Sequence, residues 1–154
     1  MNKIKNILRD IMGEKLDITS LIKASDSFTN VLKYAEEIES NKENNIFYAE
    51  EAARAAVIQH FEYTYELSWK MMKRFIEIDE GQEDSLTRKG LFRRAGEIGL
   101  IDNFYKWIEF HNARNLTSHT YDEETAEEVY ATAKNFDTYV KQFISVLIEK
   151  IKNL

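Results

Sequence analysis

Apolar side chains recur at intervals of three and four residues along most of this chain, a spacing that places them on one side of an α-helix. The clearest stripe comprises Ala126, Val129, Ala133, Phe136, Val140, Phe143 and Leu147. A second stripe, between about 47 and 78, comprises Ala53, Val57, Phe61, Thr64, Ser68, Met71, Phe75 and Ile78. Each stripe predicts a long amphipathic helix with one face buried against its neighbours.

Shorter helices are predicted on either side of the second stripe. Thr19 or Ser20 can serve as the N-cap of a helix that stops in the polar run 40–45. Another helix is predicted from near Ser85 to Gly99, because glycine readily adopts the left-handed conformation that often ends a helix.

Two further helices complete the prediction. Asp102 can cap one that passes through Trp107 to Ala113. The first residues carry apolar side chains at helical spacing, interrupted by charges, so residues 1–16 are expected to form an added amphipathic helix. This segment has neither the pattern of a signal peptide nor the length of a membrane span, and no membrane association is expected.

The composition favours an all-α protein. The 154 residues include no proline and only five glycines, so long stretches contain no helix breaker. Helices joined by short loops pack side by side, and we expect an antiparallel up-and-down four-helix bundle with additional short helices, as a single domain over residues 17–154. The absence of cysteine excludes disulfides and thiolate chemistry and favours a cytoplasmic location.

The charge balance limits the classes of partner. A net charge of −6 argues against broad binding to nucleic acid, which relies on many cationic contacts with phosphates. A local basic cluster comprises Arg88, Lys89, Arg93 and Arg94. It could meet phosphates or an acidic partner, although a solvated helix face is the commoner explanation.

The most concentrated set of reactive side chains is Arg114, His119 and Tyr121. An arginine presents a planar fork of donors to phosphate, and a histidine exchanges a proton near neutral pH, so the pair suits phosphodiester chemistry. Five steps along one helix, at about 100° each, would place Arg114 and His119 about 140° apart. Their convergence therefore requires a helix end or a second copy of the chain.

A helix end is predicted within the same segment. Thr120 together with Glu123, or Asp122 with the acidic residues that follow it, can cap a new helix. The three reactive side chains would then lie across a junction between two helices.

Two carboxylates, Glu62 and Glu66, lie four residues apart on the predicted long helix. With three histidines in the chain and no Glu-x-x-His motif, no metal site or cofactor is expected. Pairing with Lys70, Lys73 or Arg114 is the preferred interpretation. A purely structural role for Arg114, tying a helix end to these carboxylates, remains an alternative to catalysis.

Aromatic and histidine side chains elsewhere have simpler interpretations. Tyr63, Tyr65 and Trp69 could stack nucleic acid bases, but helical spacing favours core or dimer contacts. His60 and His111 stand among apolar or neutral neighbours and are interpreted as structural histidines.

A series of motifs extends over roughly residues 20–150. It comprises the segment 61–70, Ala95, the segment 99–101, Trp107, Arg114 with Asn115, and the segment 118–122. In order and spacing this series resembles the HEPN superfamily, in its branch of nucleotidyltransferase substrate-binding proteins. The resemblance implies a helical bundle that forms a homodimer and acts with a minimal nucleotidyltransferase encoded nearby.

The resemblance also implies roles for individual residues. Many HEPN proteins are metal-independent ribonucleases with an arginine-x4-6-histidine motif, which Arg114 and His119 match, and Tyr121 completes the arginine-x4-histidine-x-tyrosine pattern of toxins. Arg114 would stabilise charge on the scissile phosphate, His119 would be the general acid or base, and Asn115 would orient one of them or the phosphate. Tyr121 would receive AMP from the partner.

Three hypotheses about function remain at this point. The first is a ribonuclease toxin that acts on RNA, tRNA being one candidate, and is silenced when the nucleotidyltransferase adenylylates Tyr121. The second is a non-catalytic subunit that binds a nucleotide or another substrate for the nucleotidyltransferase. The third is a helical interaction protein in which Arg114 only stabilises the junction.

Overall fold

The computed structural model describes residue 3 and residues 16–41, 47–81 and 86–154. Within these ranges there are five α-helices and no strand. The helices are α1 (Thr19–Ser40), α2 (Phe47–Glu80), α3 (Arg88–Glu97), α4 (Phe104–Leu116) and α5 (Glu123–Lys152), with a short 3-10 turn at Thr117–His119. The prediction of an all-α protein is confirmed.

Helices α1, α2, α4 and α5 pack as the expected antiparallel bundle, and the short α3 leans against α2 and α4. Phe136 of α5 lies at the centre, because its fully buried ring contacts aromatic rings from the three other bundle helices. Centroid distances to these rings are 5.9 Å for Phe28, 5.1 Å for Phe61 and 5.0 Å for Phe110. Burial of such large rings is the main stabilising term in a domain of this size.

The buried stripe of α2 differs slightly from the predicted one. Its first half is buried as expected, but further along Met72 and Ile76 are buried while Met71 and Ile78 are only partly covered. A helix with about 3.6 residues per turn drifts away from a strict heptad alternation. Over 34 residues that drift moves the buried face round by one position.

Two predicted helix caps were wrong. Neither Thr19 nor Ser20 caps α1; Asp17 instead accepts hydrogen bonds from the backbone N and the hydroxyl of Thr19, at 2.9 and 2.5 Å. Asn103, rather than Asp102, caps α4 by accepting from the backbone N of Lys106 at 3.2 Å.

The glycine predicted to end the third helix does so. Gly99 has a φ of 77°, the left-handed conformation that avoids a Cβ clash only in glycine. The predicted N-terminal helix lies outside the described residues except for Lys3 and Leu16, and so does most of the polar run 40–45. Among the described helices, none is long and apolar enough to cross a membrane.

Candidate functional site

The reactive segment lies across a junction between helices, as predicted. Helix α4 ends at Leu116, the 3-10 turn follows, and α5 begins at Glu123. Asp122 is the N-cap of α5: its carboxylate accepts from the backbone N of Thr125 at 2.9 Å and from its hydroxyl at 2.7 Å. The hydroxyl bond and then the backbone bond hold the pKa of Asp122 below its ordinary value.

Arg114, in the last turn of α4, is held by three neighbours. Its Nε donates to Oε1 of Glu66 at 3.1 Å, and its Nη2 lies 3.2 Å from Oε1 of Glu62. Its Nη1 donates to the Thr117 hydroxyl at 3.3 Å, and that hydroxyl donates in turn to the carbonyl of Arg114 at 2.8 Å. The expected pairing of the α2 carboxylates with the junction arginine is therefore observed.

These contacts leave part of the Arg114 fork open. A guanidinium has five N–H groups, of which two belong to each terminal nitrogen. Thr117 takes one N–H of Nη1, and Glu62 faces Nη2 from one side. One N–H on each terminal nitrogen therefore has no partner among the described residues, and the side chain is 29% exposed.

His119 and Tyr121 are exposed on the other side of the junction. The Tyr121 side chain is 86% exposed, and its ring lies edge-on to the His119 ring at 6.1 Å between centroids. Within the described part of the chain, His119 shares no hydrogen bond with Arg114, whose side-chain partners are Glu62, Glu66 and Thr117. Within one chain, the described contacts therefore do not join the two groups directly.

Tyr121 also lines an open groove of about 340 Å³. The opposite wall is the stretch of α2 from Glu50 to Ile58, which includes Arg54. The groove is therefore bounded by both acidic and basic groups.

Asn115 pairs with a histidine one turn back on its own helix. Its Nδ2 lies 3.4 Å from Nε2 of His111, and Nδ1 of His111 lies 2.8 Å from the hydroxyl of Tyr65. Nη1 of Arg88 donates to the same hydroxyl at 3.2 Å. A continuous row of polar contacts thus connects α3, α2 and α4.

Burial perturbs the two central members of this row. It raises the pKa of Tyr65 to about 12, with the Arg88 hydrogen bond acting in the opposite direction. It also lowers the pKa of His111, and the nearby positive charge of Arg88 lowers it further. At neutral pH the phenol therefore keeps its proton and the imidazole is uncharged.

Trp69 connects this row of contacts to Arg114. Its Nε1 donates to Oε2 of Glu66 at 3.0 Å, while Oε1 of the same carboxylate accepts from Arg114. The Arg88 guanidinium lies 3.4 Å from the centroid of a Trp69 ring, within cation–π range. Trp69 is thus a structural contact, as predicted, and Tyr65 is fully buried, whereas Tyr63 is 59% exposed.

The basic cluster of α3 is only partly a solvated face. Arg88 contacts Trp69 and Tyr65, as described above. Arg94 forms a close ion pair with Glu80 and another with Glu97 at 2.9 Å. The Arg93 guanidinium lies 6.0 Å from the centroid of the Phe104 ring. Three of the four cations therefore make contacts within the protein.

Sequence reasoning missed the part played by His111 and Arg88. His111 has a structural partner, as predicted, but its link to Asn115 was overlooked even though the two lie four residues apart on one helix. The contact of Arg88 with Tyr65 has no such local signal. Within the described ranges, no three His, Asp or Glu side chains are grouped closely enough to hold a metal ion.

A curated protein is similar to about half of this chain. The chain is similar to a Haemophilus influenzae protein named "Probable ribonuclease HepT", with 45% identity over 85 residues. The match covers 53% of this chain and 58% of that protein, so it spans little more than half of either length.

Solved structures extend the similarity to nearly the whole bundle. A Haemophilus influenzae structure, described as the fold of a substrate binding domain of a nucleotidyltransferase, has a TM-score of 0.75 and 32% identity. It covers 88% of this chain and 98% of its own. A Thermus thermophilus structure has a TM-score of 0.59 and 27% identity, covering 78% of this chain and 98% of its own.

The family match agrees with these similarities. Residues 16–149 match the family described as nucleotidyltransferase substrate binding protein like, a range that includes the whole junction and all five described helices except the end of α5. The resemblance detected from sequence motifs is thereby confirmed. The chain belongs to the nucleotidyltransferase substrate-binding protein-like family.

Proposed function

We propose that the chain is a HEPN-type ribonuclease toxin whose reaction centre is the α4–α5 junction. The observation that carries this proposal is the state of Arg114, a cation fixed in orientation by Glu62, Glu66 and Thr117 that keeps donors open. A preorganised donor stabilises a developing phosphorane charge better than a mobile one. The name of the Haemophilus influenzae relative supports the same activity.

In the proposed reaction the ribose 2′-hydroxyl attacks the adjacent phosphorus. A bond forms between the 2′-oxygen and phosphorus, the bond to the 5′-oxygen breaks, and the products are a 2′,3′-cyclic phosphate and a 5′-hydroxyl. His119 either takes the proton from the 2′-hydroxyl or gives one to the departing 5′-oxygen. Arg114 stabilises the negative charge on the phosphoryl oxygens.

A homodimer supplies what one chain lacks. One chain has a single histidine at the junction, whereas the reaction uses both a base and an acid. A two-fold axis near the junction would place two copies of Arg114 and His119 around one cleft. One copy of His119 would then be the base and the other the acid.

Tyr121 is proposed as the control point. Its exposed hydroxyl, two residues from His119, is open to adenylylation by a partner nucleotidyltransferase. The added phosphate would bring negative charge and bulk beside Arg114 and His119 and would block RNA. The description of the structural relative as a substrate binding domain of a nucleotidyltransferase supports such a partner.

A second candidate is a non-catalytic subunit that presents a substrate to the nucleotidyltransferase. The carboxylates of Glu62 and Glu66 favour it, because they offset the charge of Arg114 and weaken its attraction for phosphate. In this case the chain binds a ligand through Arg114 and does not cleave RNA.

The test is incubation of the purified chain with total tRNA and a structured RNA in the presence of EDTA. We expect cleavage by the wild type and by Tyr121→Phe, and a loss of about 100-fold or more in His119→Ala, the range for removal of a general acid or base. Ser118→Ala, an exposed neighbour in the same turn, is the matched control and should cleave normally. A folded wild-type chain that leaves RNA intact would favour the binding subunit.

A further inference from the structure

The row of contacts from Arg88 through Tyr65 and His111 to Asn115 has a direction that follows from its donors and acceptors. Arg88 can only donate, so the Tyr65 oxygen accepts its N–H at 3.2 Å. Tyr65 still has one proton to place. Its side chain is fully buried, and among the described residues the acceptor within reach is Nδ1 of His111 at 2.8 Å.

The opposite direction, from His111 to Tyr65, would leave the proton of the Tyr65 hydroxyl without an acceptor. If Nδ1 of His111 carried a proton and donated to Tyr65, the phenol oxygen would accept twice and its own proton would face a buried space without an acceptor. A buried, unsatisfied hydroxyl is disfavoured. Tyr65 therefore donates, and His111 accepts at Nδ1.

This assignment determines the tautomer of His111. A neutral imidazole that accepts at Nδ1 has its proton on Nε2. Nε2 lies 3.4 Å from Nδ2 of Asn115. Because two N–H groups cannot bond to each other, the contact forms when the histidine donates and the carboxamide turns its oxygen toward the ring. The raised pKa of Tyr65 and the lowered pKa of His111 agree with a protonated phenol and a neutral imidazole.

The carboxamide of Asn115 completes the row. It can turn by 180° about its last bond, so either Oδ1 or Nδ2 can face the ring. Donation from His111 selects Oδ1 for that contact and turns the NH₂ group outward. Asn115 is exposed and adjacent in sequence to Arg114, the residue with open donors.

We propose that Arg88, Tyr65 and His111 are positioning residues that hold Asn115 with its NH₂ group outward, where it can donate to a phosphate bound at the junction. Their role in catalysis rests on the proposed ribonuclease function, but the direction of the hydrogen bonds does not. The ligand chemistry follows from the donors: the guanidinium of Arg114 and the outward NH₂ group of Asn115 offer no acceptor, which suits an anionic oxygen ligand.

The first measurement is nitrogen NMR of the ¹⁵N-labelled chain, with the His111 signals assigned by comparison with His111→Phe. We expect His111 as the neutral tautomer with its proton on Nε2. In Tyr65→Phe, which keeps the buried ring but removes the hydroxyl, the tautomer preference should weaken. Tyr63→Phe, an exposed tyrosine on the same helix, should leave it unchanged. A proton on Nδ1 in the wild type would overturn the inference whether or not the protein cleaves RNA.

The second measurement is titration of the same samples with inorganic phosphate. The side-chain NH₂ signals of Asn115 should shift in the wild type and in Tyr63→Phe, and should shift several-fold less in Tyr65→Phe. If the Asn115 signals of the wild type did not shift on addition of phosphate, Asn115 would be excluded as a donor to phosphate. This readout remains decisive if the wild type proves unable to cleave RNA, so failure of the proposed function can be told apart from failure of this inference.

The third measurement applies to RNA cleavage by the same variants. Loss of positioning should lower kcat by about 10-fold in Tyr65→Phe and change KM by less than about 2-fold, because the donor acts mainly in the transition state. Melting temperatures of Tyr65→Phe and Tyr63→Phe separate this effect from partial unfolding. An unchanged kcat in folded Tyr65→Phe would contradict the positioning role.

Discussion

Arg114 of α4 and Glu66 of α2 are joined by a hydrogen bond of 3.1 Å from Nε to Oε1, although 48 positions separate them in the chain. Their side chains are 29% and 30% exposed, so solvent screens the pair and limits what it adds to stability. The other oxygen of Glu66 accepts from Trp69, which fixes the carboxylate from a second side. The pair therefore orients Arg114 more than it stabilises the bundle.

Glu66→Gln tests this view. One carboxamide oxygen cannot replace both carboxylate oxygens, so either Arg114 or Trp69 loses its acceptor. We expect the free energy of unfolding, measured by urea denaturation, to fall by about 1 kcal/mol. RNA cleavage should fall by about 10-fold or more, because Arg114 loses its fixed orientation.

Glu109→Gln is the matched control for this change, since Glu109 pairs with Lys106 at 3.1 Å on the exposed side of α4. Unfolding and cleavage should both stay near their wild-type values there. Equal loss of cleavage in the two variants would argue against a special role for Glu66.

His119→Ala should separate activity from stability. The side chain is exposed on a short turn, and its described contact is the edge-on packing against Tyr121. Surface changes of this kind alter stability by less than about 0.5 kcal/mol. If the loss of cleavage in His119→Ala came with a large fall in melting temperature, a structural role for the junction would be favoured.

Tyr121→Phe should abolish acceptance of AMP. The variant keeps the ring contact with His119 and loses only the hydroxyl that would be adenylylated. Incubation with a cognate nucleotidyltransferase and labelled ATP should label the wild type and not the variant. Tyr105→Phe, which removes a hydroxyl that is comparably exposed at 77%, should be labelled normally. Label retained by Tyr121→Phe would place the modification elsewhere.

Asp122→Asn should change how the stability of the fold depends on pH in acid. The pKa of Asp122 is lowered in the folded chain, so in acid the unfolded chain binds more protons than the folded chain. The contribution of the charged cap to the free energy of unfolding is therefore lost as the pH falls from about 5 through the lowered pKa. An asparagine can cap the helix but does not titrate.

The urea midpoint should therefore fall more steeply in the wild type than in Asp122→Asn as the pH is lowered below about 5, as followed by circular dichroism. The comparison between the two chains removes the titration of the other carboxylates. Parallel pH profiles would show that the cap contributes nothing through its charge.

Phe136→Ala should cost the most stability of these changes. The fully buried ring packs against Phe28, Phe61 and Phe110, and its removal leaves a cavity among them. A loss of about 3–5 kcal/mol is expected in urea denaturation. Phe136→Leu should lose less because it keeps part of the volume. A loss below about 1 kcal/mol for alanine would show that the aromatic core collapses around the gap.

Features that depend on near neighbours in the chain were predictable. The spacing of apolar residues indicated the helices. Gly99 marked one helix end correctly, and of the two candidates for the start of α5, Thr120 and Asp122, the second is the N-cap. The other two predicted caps were wrong by one or two residues. Asp17 and Asn103, in place of Thr19 and Asp102, accept from the exposed N–H groups at those helix starts. Several side chains near a helix start can serve as caps, and the approach angle of the chain selects among them.

The sequence by itself determined the helical fold, the helix junction at 114–122 and the reactive groups that lie there, because each depends on spacings of three to five residues. Only the tertiary structure decided which partners those groups have. Arg114 meets Glu66 across 48 positions and Tyr65 meets His111 across 46, and both contacts depend on how α2 and α4 pack. Side chains so distant in the chain come together only when burial of the aromatic core fixes the register of those helices.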